Sequence, residues 1–232
     1  MSIAQAEKAA PAQTRRRFTA WPLWATVSGA LGLTATVVLD ARAGDTADSS
    51  YMVTVRDMAA LDHTMFRIGG FVGYLAVIAL VVFAAVWRRR VVQRFPGSAG
   101  APVVTYGFLV SASTLTLAYG WKGALGNYLH GAMEAGTYDD AGLYVYYVMN
   151  DFSPYIGWLG VLIGLLGLVW MSFAEGLVSR GLGAVTGFFT IAPLLAVAIT
   201  GVPGLPVATI LGLLVAGVWL AVGRSAITQT DI

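Results

Sequence analysis

Apolar residues fall in six long windows along the chain, at about 18–39, 65–87, 103–121, 153–173, 182–200 and 206–222. A helix that crosses a bilayer needs about 20 predominantly apolar residues, because some 30 Å of hydrocarbon is covered at about 1.5 Å per residue. The pattern therefore predicts an all-α, polytopic integral membrane bundle of about six transmembrane helices. The last two windows are short and joined by GVPGLP (201–206), a Gly/Pro turn that reads as a helical hairpin. Polar residues collect between the windows. Residues 1–17 read as an N-terminal tail and 18–222 as the six-helix domain, with long loops near 40–63 and 122–152 and a C-terminal tail at 223–232. Within the first loop, VTVRDMAALDH has the makings of a helical turn leading into the second span.

Charge then orients the bundle. Placing Lys8, Arg15–Arg17, Arg88–Arg90, Arg94, Arg180 and Arg224 on one side puts ten of the 14 basic residues there, which is the cytoplasmic side by the positive-inside rule. Nine of the 12 acidic residues then fall outside: Asp40, Asp45, Asp48, Asp57, Asp62, Glu134, Asp139, Asp140 and Asp151. Both termini are expected in the cytoplasm of a bacterial cell, with the chain multi-pass in the inner membrane. Thr14–Phe18 has the look of a twin-arginine export signal and Ala41–Arg42–Ala43 of a cleavage site, but the apolar stretch between them is far longer than the 7–15 residues of a signal core. A retained anchor fits better.

Composition narrows the chemistry. With 57% hydrophobic and 11% charged residues, the chain lacks the polar surface of a soluble enzyme or a nucleic-acid-binding module. The absence of cysteine excludes disulfides, thiolate nucleophiles and Cys-ligated metals. No phosphate loop, nucleophile elbow or H-E-x-x-H motif is present. Lys8 and Lys122 are the only lysines and neither falls inside a predicted span, which argues against a Schiff-base chromophore.

Ionisable groups near membrane depth are costly and mark functional sites by default. They gather at the outer ends of the second to fourth windows. If the third helix runs past Trp121, Tyr119, Gly123, Asn127, His130 and Glu134 recur at helical spacing on one face. His130 and Glu134 then stand i,i+4, able to share a proton or a metal. Asp62 and His63 open the second span, with Arg67 one turn further in to pair with Asp62 or Asp151 or to snorkel. In a plainer reading Asp62 only caps that helix. Asp151, followed by Ser153 and Pro154, reads either as a helix start or as an inward-facing acid. Aromatic residues crowd this level, among them Tyr147 and Trp158, and suit either an interfacial belt or the wall of a ligand pocket.

Two stretches carry a family resemblance: Phe66–Arg67–Ile68–Gly69 at the start of the second span, and GLVSRGLGAVTGF (176–188) before the fifth. They resemble a family of small actinobacterial and other bacterial six-helix membrane proteins classed as a domain of unknown function. Ser179 stands where that family commonly has Pro. The resemblance implies the fold and no activity, and it assigns no residue a role.

The reading that follows is a membrane protein whose outward-facing acidic, histidine- and aromatic-rich mouth binds a small lipophilic molecule and transforms it by isomerase- or cyclase-type acid–base chemistry. Asp62, Glu134 and Asp151 are the candidate acids and bases, and Arg67, Tyr119, Asn127, Tyr147 and Trp158 the candidate binding residues. No cofactor is called for. The alternatives are a divalent metal at His63, His130 and Glu134 serving a sensor, or a non-catalytic subunit packed against membrane partners or copies of itself.

Overall fold

The computed structural model describes residues 18–44, 51–201 and 205–229, and among these every regular element is helical. Helix α1 (Leu23–Leu33) runs without a break into a π-helical turn, Thr34–Val38. A short 3₁₀ helix (Val55–Ala60) precedes α2 (His63–Trp87), which continues as a second π-helical turn, Arg88–Val92. Then follow α3 (Gly100–Tyr128), α4 (Asp140–Gly157), α5 (Leu159–Phe173), α6 (Arg180–Thr200) and α7 (Pro206–Val222). Four helical stretches, His63–Val92, Gly100–Tyr128, Asp140–Phe173 and Arg180–Thr200, are long and apolar enough to cross a membrane; Leu23–Val38 and Pro206–Val222 are apolar but shorter. The tail at 1–17 with its twin-arginine-like segment, the loop acids Asp45 and Asp48, and the centre of the GVPGLP turn lie outside the described residues.

Two boundaries depart from the hydropathy windows. The second long loop, expected at 122–152, shrinks to 129–139, because α3 runs to Tyr128 and α4 starts at Asp140, capped by the Asp139 carboxylate on Gly142 N–H (2.8 Å). Asp151 is therefore no helix start but an interior residue of α4, one turn before Pro154. The helix that begins at Asp140 is interrupted at Trp158, one turn after Pro154, and continues as α5. Thr54 and Asp57 form a reciprocal capping box on the 3₁₀ helix, which lies where a helical turn is expected in VTVRDMAALDH. The Tyr51 hydroxyl (2.7 Å) and the Thr54 N–H together hold the Asp57 carboxyl below its usual range.

Helix α3 sits at the centre, packed on α2, α4 and α5, while α7 closes the bundle against α1 and α6. Small residues permit the close crossings, as they do wherever apolar helices must find each other without hydrophobic contrast. Gly126 of α3 lies where an added Cβ would stand 2.5 Å from the Arg67 backbone nitrogen of α2, whereas Gly123, three residues earlier on the same helix, faces open space. Near the arginine-rich end, Trp21, Phe83, Trp87 and Phe108 stack with ring centroids 5.2–5.9 Å apart, and Trp87 donates to the Ala101 carbonyl (2.9 Å). A smaller core at the opposite end joins Met58, Phe66, Leu125, Leu129, Leu143 and Tyr147.

At the arginine-rich end Glu175, in the α5–α6 connection, caps α3 from a distance. Its carboxylate accepts the N–H groups of Ala99 (2.8 Å) and Gly100 (3.1 Å) and the Ser98 hydroxyl (2.5 Å). Partial burial pushes the carboxyl up, but the Ser98, Gly100, Ala99 and Trp170 donors outweigh it and hold it below its ordinary value of 4.5.

Two outcomes are expected. Gly126→Ala drives a methyl into the α2 backbone and lowers the melting temperature in detergent, while Gly123→Ala leaves it unchanged or raises it, since Ala gains about 0.5–1 kcal/mol over Gly inside a helix; equal effects at the two sites would contradict the crossing. Glu175→Ala costs about 1 kcal/mol, the worth of an N-cap. Because the folded carboxyl is held down, that contribution is complete above pH 4.5 and is lost as pH falls through the lower folded value, so the melting curves of wild type and variant converge on acidification.

Candidate functional site

The polar centre of the protein lies where α1 gives way to its π-helical turn. In an α-helix Leu39 N–H would bond the Ala35 carbonyl; in the π-turn it reaches back to Thr34 instead (2.8 Å), which frees the Ala35 oxygen. Lys122, on the central helix α3 and 1% exposed, takes that oxygen at 2.7 Å, the Leu39 carbonyl at 2.9 Å and the Asp40 carboxylate at 2.9 Å. An ammonium has three N–H donors, and all three are used. The cation also sits at the C-terminal end of α1, where the helix dipole favours positive charge. Gly69 of α2 makes room for the arrangement: a Cβ there would stand 2.7 Å from the Leu39 oxygen and 2.9 Å from the Lys122 chain.

Lys122, which falls outside the third apolar window, is buried within α3, the helix that runs on past Trp121. The apolar stripe of α3 reveals why. Ser111, Leu115, Ala118, Tyr119, Leu125 and Gly126 are buried at helical spacing, and Lys122 falls on the same stripe. A lysine ends a hydropathy window even where the helix continues. The fully satisfied ammonium also withholds the free amine that Schiff-base chemistry needs.

A cavity of about 330 Å³ opens beside the pair, between the π-turn of α1, α4 and the start of α7. Its polar wall consists of Thr36, Asp40, Arg42, Asn150, Asp151 and Tyr155. Asp40 and Asp151 act on each other electrostatically, with Arg42 opposing. The Asp151 carboxylate is exposed and, among the described residues, makes neither a hydrogen bond nor a salt bridge. Asn150 is only 3% exposed, yet its side-chain oxygen meets no donor. Leaving a buried polar group unpaired costs about 1–3 kcal/mol, so such an atom calls for an explanation.

The residues picked out from the sequence divide into two groups. Tyr119, Tyr147 and Asp151 lie near the Lys122–Asp40 centre, and Trp158 lies beside Tyr119. The Tyr119 hydroxyl shares a hydrogen bond with Thr36 (3.0 Å), and Tyr147 accepts the Ala43 N–H (3.1 Å) and lies within the field of Asp40 and Asp151. Trp158, 1% exposed, rests against Gly32 of α1. Asp62, His63, Arg67, Asn127, His130 and Glu134 lie elsewhere. Asp62 caps α2 through Thr64 N–H (2.8 Å), with the His63 ring 4.0 Å away. Arg67 is exposed and forms no salt bridge with Asp62 or Asp151 among the described residues. The shared face of His130 and Glu134 does not form, because α3 ends at Tyr128; His130 turns to Asp140 (3.0 Å), and the Glu134 N–H bonds the Asn127 carbonyl (3.1 Å). Gly131 backs onto the His63 ring, but no three His, Cys, Asp or Glu side chains gather as a metal site among the described residues.

The sequence reading missed Asp40, Arg42, Lys122 and Asn150. A single lysine and a single aspartate, each placed just past an apolar window, were the available signal. Together, fold and site describe a helical protein suited to a lipid bilayer, with a buried ion pair beside a polar cavity. No protein-family model, curated protein or solved structure matches the chain.

Expected outcomes follow for the pair. Lys122→Met leaves a carboxylate and two carbonyls without a donor and costs about 3–5 kcal/mol, the range found for breaking a buried ion pair from one side. Lys122→Met combined with Asp40→Asn costs less than the sum of the two single changes, as read from melting in detergent. Strict additivity would show that the two residues do not act together.

Proposed function

We propose that the protein crosses the bacterial cytoplasmic membrane six times with both termini inside, and that the cavity beside Lys122–Asp40 faces outward and binds a small lipophilic molecule with a polar end. The observation that carries this reading is the unpartnered, buried Asn150 oxygen in the wall of a 330 Å³ cavity that also holds an unpaired carboxylate, Asp151. Ligand pockets of small molecules are commonly of this size, lined by apolar surface with a few convergent polar groups. Val37, Pro206 and Val207 supply the apolar part.

The charge pattern supports the orientation. Arg88–Arg90, Arg94, Arg180 and Arg224 fall at helix ends opposite to the one where Asp40, Asp62, Asp139 and Asp140 lie. In the catalytic form of the proposal Asp151 is the proton donor or acceptor, since its oxygens are uncommitted, while Asp40 is held by Lys122. Asp62 and Glu134 have no part in it, being remote from the cavity.

The cysteine-free chain makes the test direct. Val207→Cys, in the cavity wall, reacts with a membrane-impermeant thiol reagent added to intact cells, and a saturating medium-chain alcohol slows the reaction severalfold. Gly97→Cys, in the α2–α3 connection with open space around it, reacts only after lysis. Labelling of Gly97→Cys from outside would reverse the topology, and a Val207→Cys rate indifferent to the alcohol would remove the cavity as a binding site.

A further inference from the structure

The arginine-rich end carries charge that the protein does not answer. Arg88, Arg89, Arg90, Arg94, Arg180 and Arg224 lie there, and the one acid at that end among the described residues, Glu175, is spent on capping α3. Arg180 and Arg224 are exposed, and neither side chain makes a hydrogen bond or ion pair among the described residues. Distant in sequence, the two meet around one ring. Trp219 of α7 lays its indole against the first turn of α6, where a Cβ on Gly181 would stand 3.1 Å from Cζ2. Its other edge lies at the end of α7, where a Cβ on Gly223 would stand 3.0 Å from Cδ1 and 3.4 Å from Nε1. Arg180 precedes the first of these glycines and Arg224 follows the second, so the arginines leave the chain on either side of the Trp219 ring. The indole N–H has no acceptor among the described residues and is not enclosed.

From this ring an open apolar groove of about 490 Å³ runs along α7, lined by Leu214, Val215, Val218, Trp219, Val222 and Gly223. At 1.5 Å per residue it is about 13 Å long, close to the roughly 15 Å of hydrocarbon in one leaflet. We infer that this groove is a site for an anionic phospholipid, with one acyl chain along α7 and the phosphate held by Arg180, Arg224 and the Trp219 N–H. A guanidinium matches phosphate oxygens in geometry as well as charge, and an indole at the head of an apolar face suits the depth of the glycerol esters. A neutral lipid would leave both arginines unanswered, and a free phosphate would leave the groove empty. In the proposed orientation the lipid belongs to the cytoplasmic leaflet, at the opposite end of the protein from the polar cavity.

The test titrates the full chain in neutral detergent with dioleoyl phosphatidylglycerol, with dioleoyl phosphatidylcholine and with glycerol 3-phosphate, and counts bound molecules by native mass spectrometry. Phosphatidylglycerol is expected to bind at least tenfold more tightly than phosphatidylcholine, and glycerol 3-phosphate not to compete with it. Arg180→Gln and Arg224→Gln, both at exposed positions, are each expected to weaken phosphatidylglycerol about fivefold, the worth of one basic residue at a membrane surface, and to leave phosphatidylcholine unchanged. Arg89→Gln serves as the control for overall charge, since its π-helical turn packs on α2 and α3, and it is expected to change nothing. Val218→Trp, which fills the groove from its exposed side, is expected to weaken phosphatidylglycerol severalfold with unchanged melting. Equal binding of the two lipids, or an Arg89→Gln loss as large as that of Arg180→Gln, would overturn the site. So would competition by glycerol 3-phosphate or indifference to Val218→Trp, either of which would take the acyl chain out of the groove.

Discussion

Burying one ammonium among apolar helices sets the terms for the middle of this bundle. Lys122 has almost no contact with solvent, and an uncompensated cation there would be expelled or neutralised. The protein supplies three oxygens, and each needs a structural departure. The Ala35 carbonyl is available only because the last turn of α1 is wound as a π-turn. The Leu39 carbonyl is available because the chain leaves the helix there. Asp40 arrives one residue later. Gly69 has no side chain because Leu39 and Lys122 occupy its place. The π-turn, the glycine and the ion pair are one feature seen in three helices.

That centre also ties the shortest apolar helix segment to the central helix α3. Leu23–Val38 is too short to span a membrane comfortably by length alone, yet its last turn is anchored to α3 by charge, and its middle by the Ser28 hydroxyl on the Ala76 carbonyl of α2 (2.9 Å). At the other end of the molecule Glu175 does the complementary work, reaching from the α5–α6 connection to the first turn of α3. Helix α3 is thus held electrostatically near both ends, by an acid at its N-terminus, where the dipole favours one, and by its own buried lysine close to its C-terminus. Between them α3 is joined to its neighbours by packing and by hydroxyl hydrogen bonds: Ser111 accepts the Val161 N–H (2.8 Å) and Thr114 donates to the Gly157 carbonyl (3.1 Å).

Much of the architecture is legible in apolar runs alone, because a bilayer-length helix leaves a run that no other element leaves. The last window, 206–222, coincides with α7. The failures are instructive in kind. Each comes from polar residues inside a helix: Lys122 ends the third apolar window early, and the Asp140–Asn150–Asp151 stretch breaks the hydropathy pattern although it is helical. Those are the residues that build the site, so a reading that equates polarity with loop loses the site and the helix ends together. Tyr119, Tyr147, Asp151 and Trp158 were found because aromatic side chains and a lone acid stand out in any apolar context. Asp62, His63, His130 and Glu134 stand out as strongly and lie in a cap, a first helical turn and a loop, away from the cavity, since sequence proximity to a span says nothing about which way a side chain faces.

The contrast between Lys122 and Asn150 shows where the protein is complete and where it is not. Lys122 is the costlier group to bury, and every one of its donors is met. Asn150 is nearly as deeply enclosed, and its side-chain oxygen meets no donor. A fold able to satisfy a buried ammonium through a rewound helix had the means to satisfy an amide, for which a Leu or Met would be the simpler replacement. Local choices that oppose stability are characteristic of functional positions. The deficit sits in the wall of the cavity, beside a carboxylate, Asp151, that makes no ion pair among the described residues.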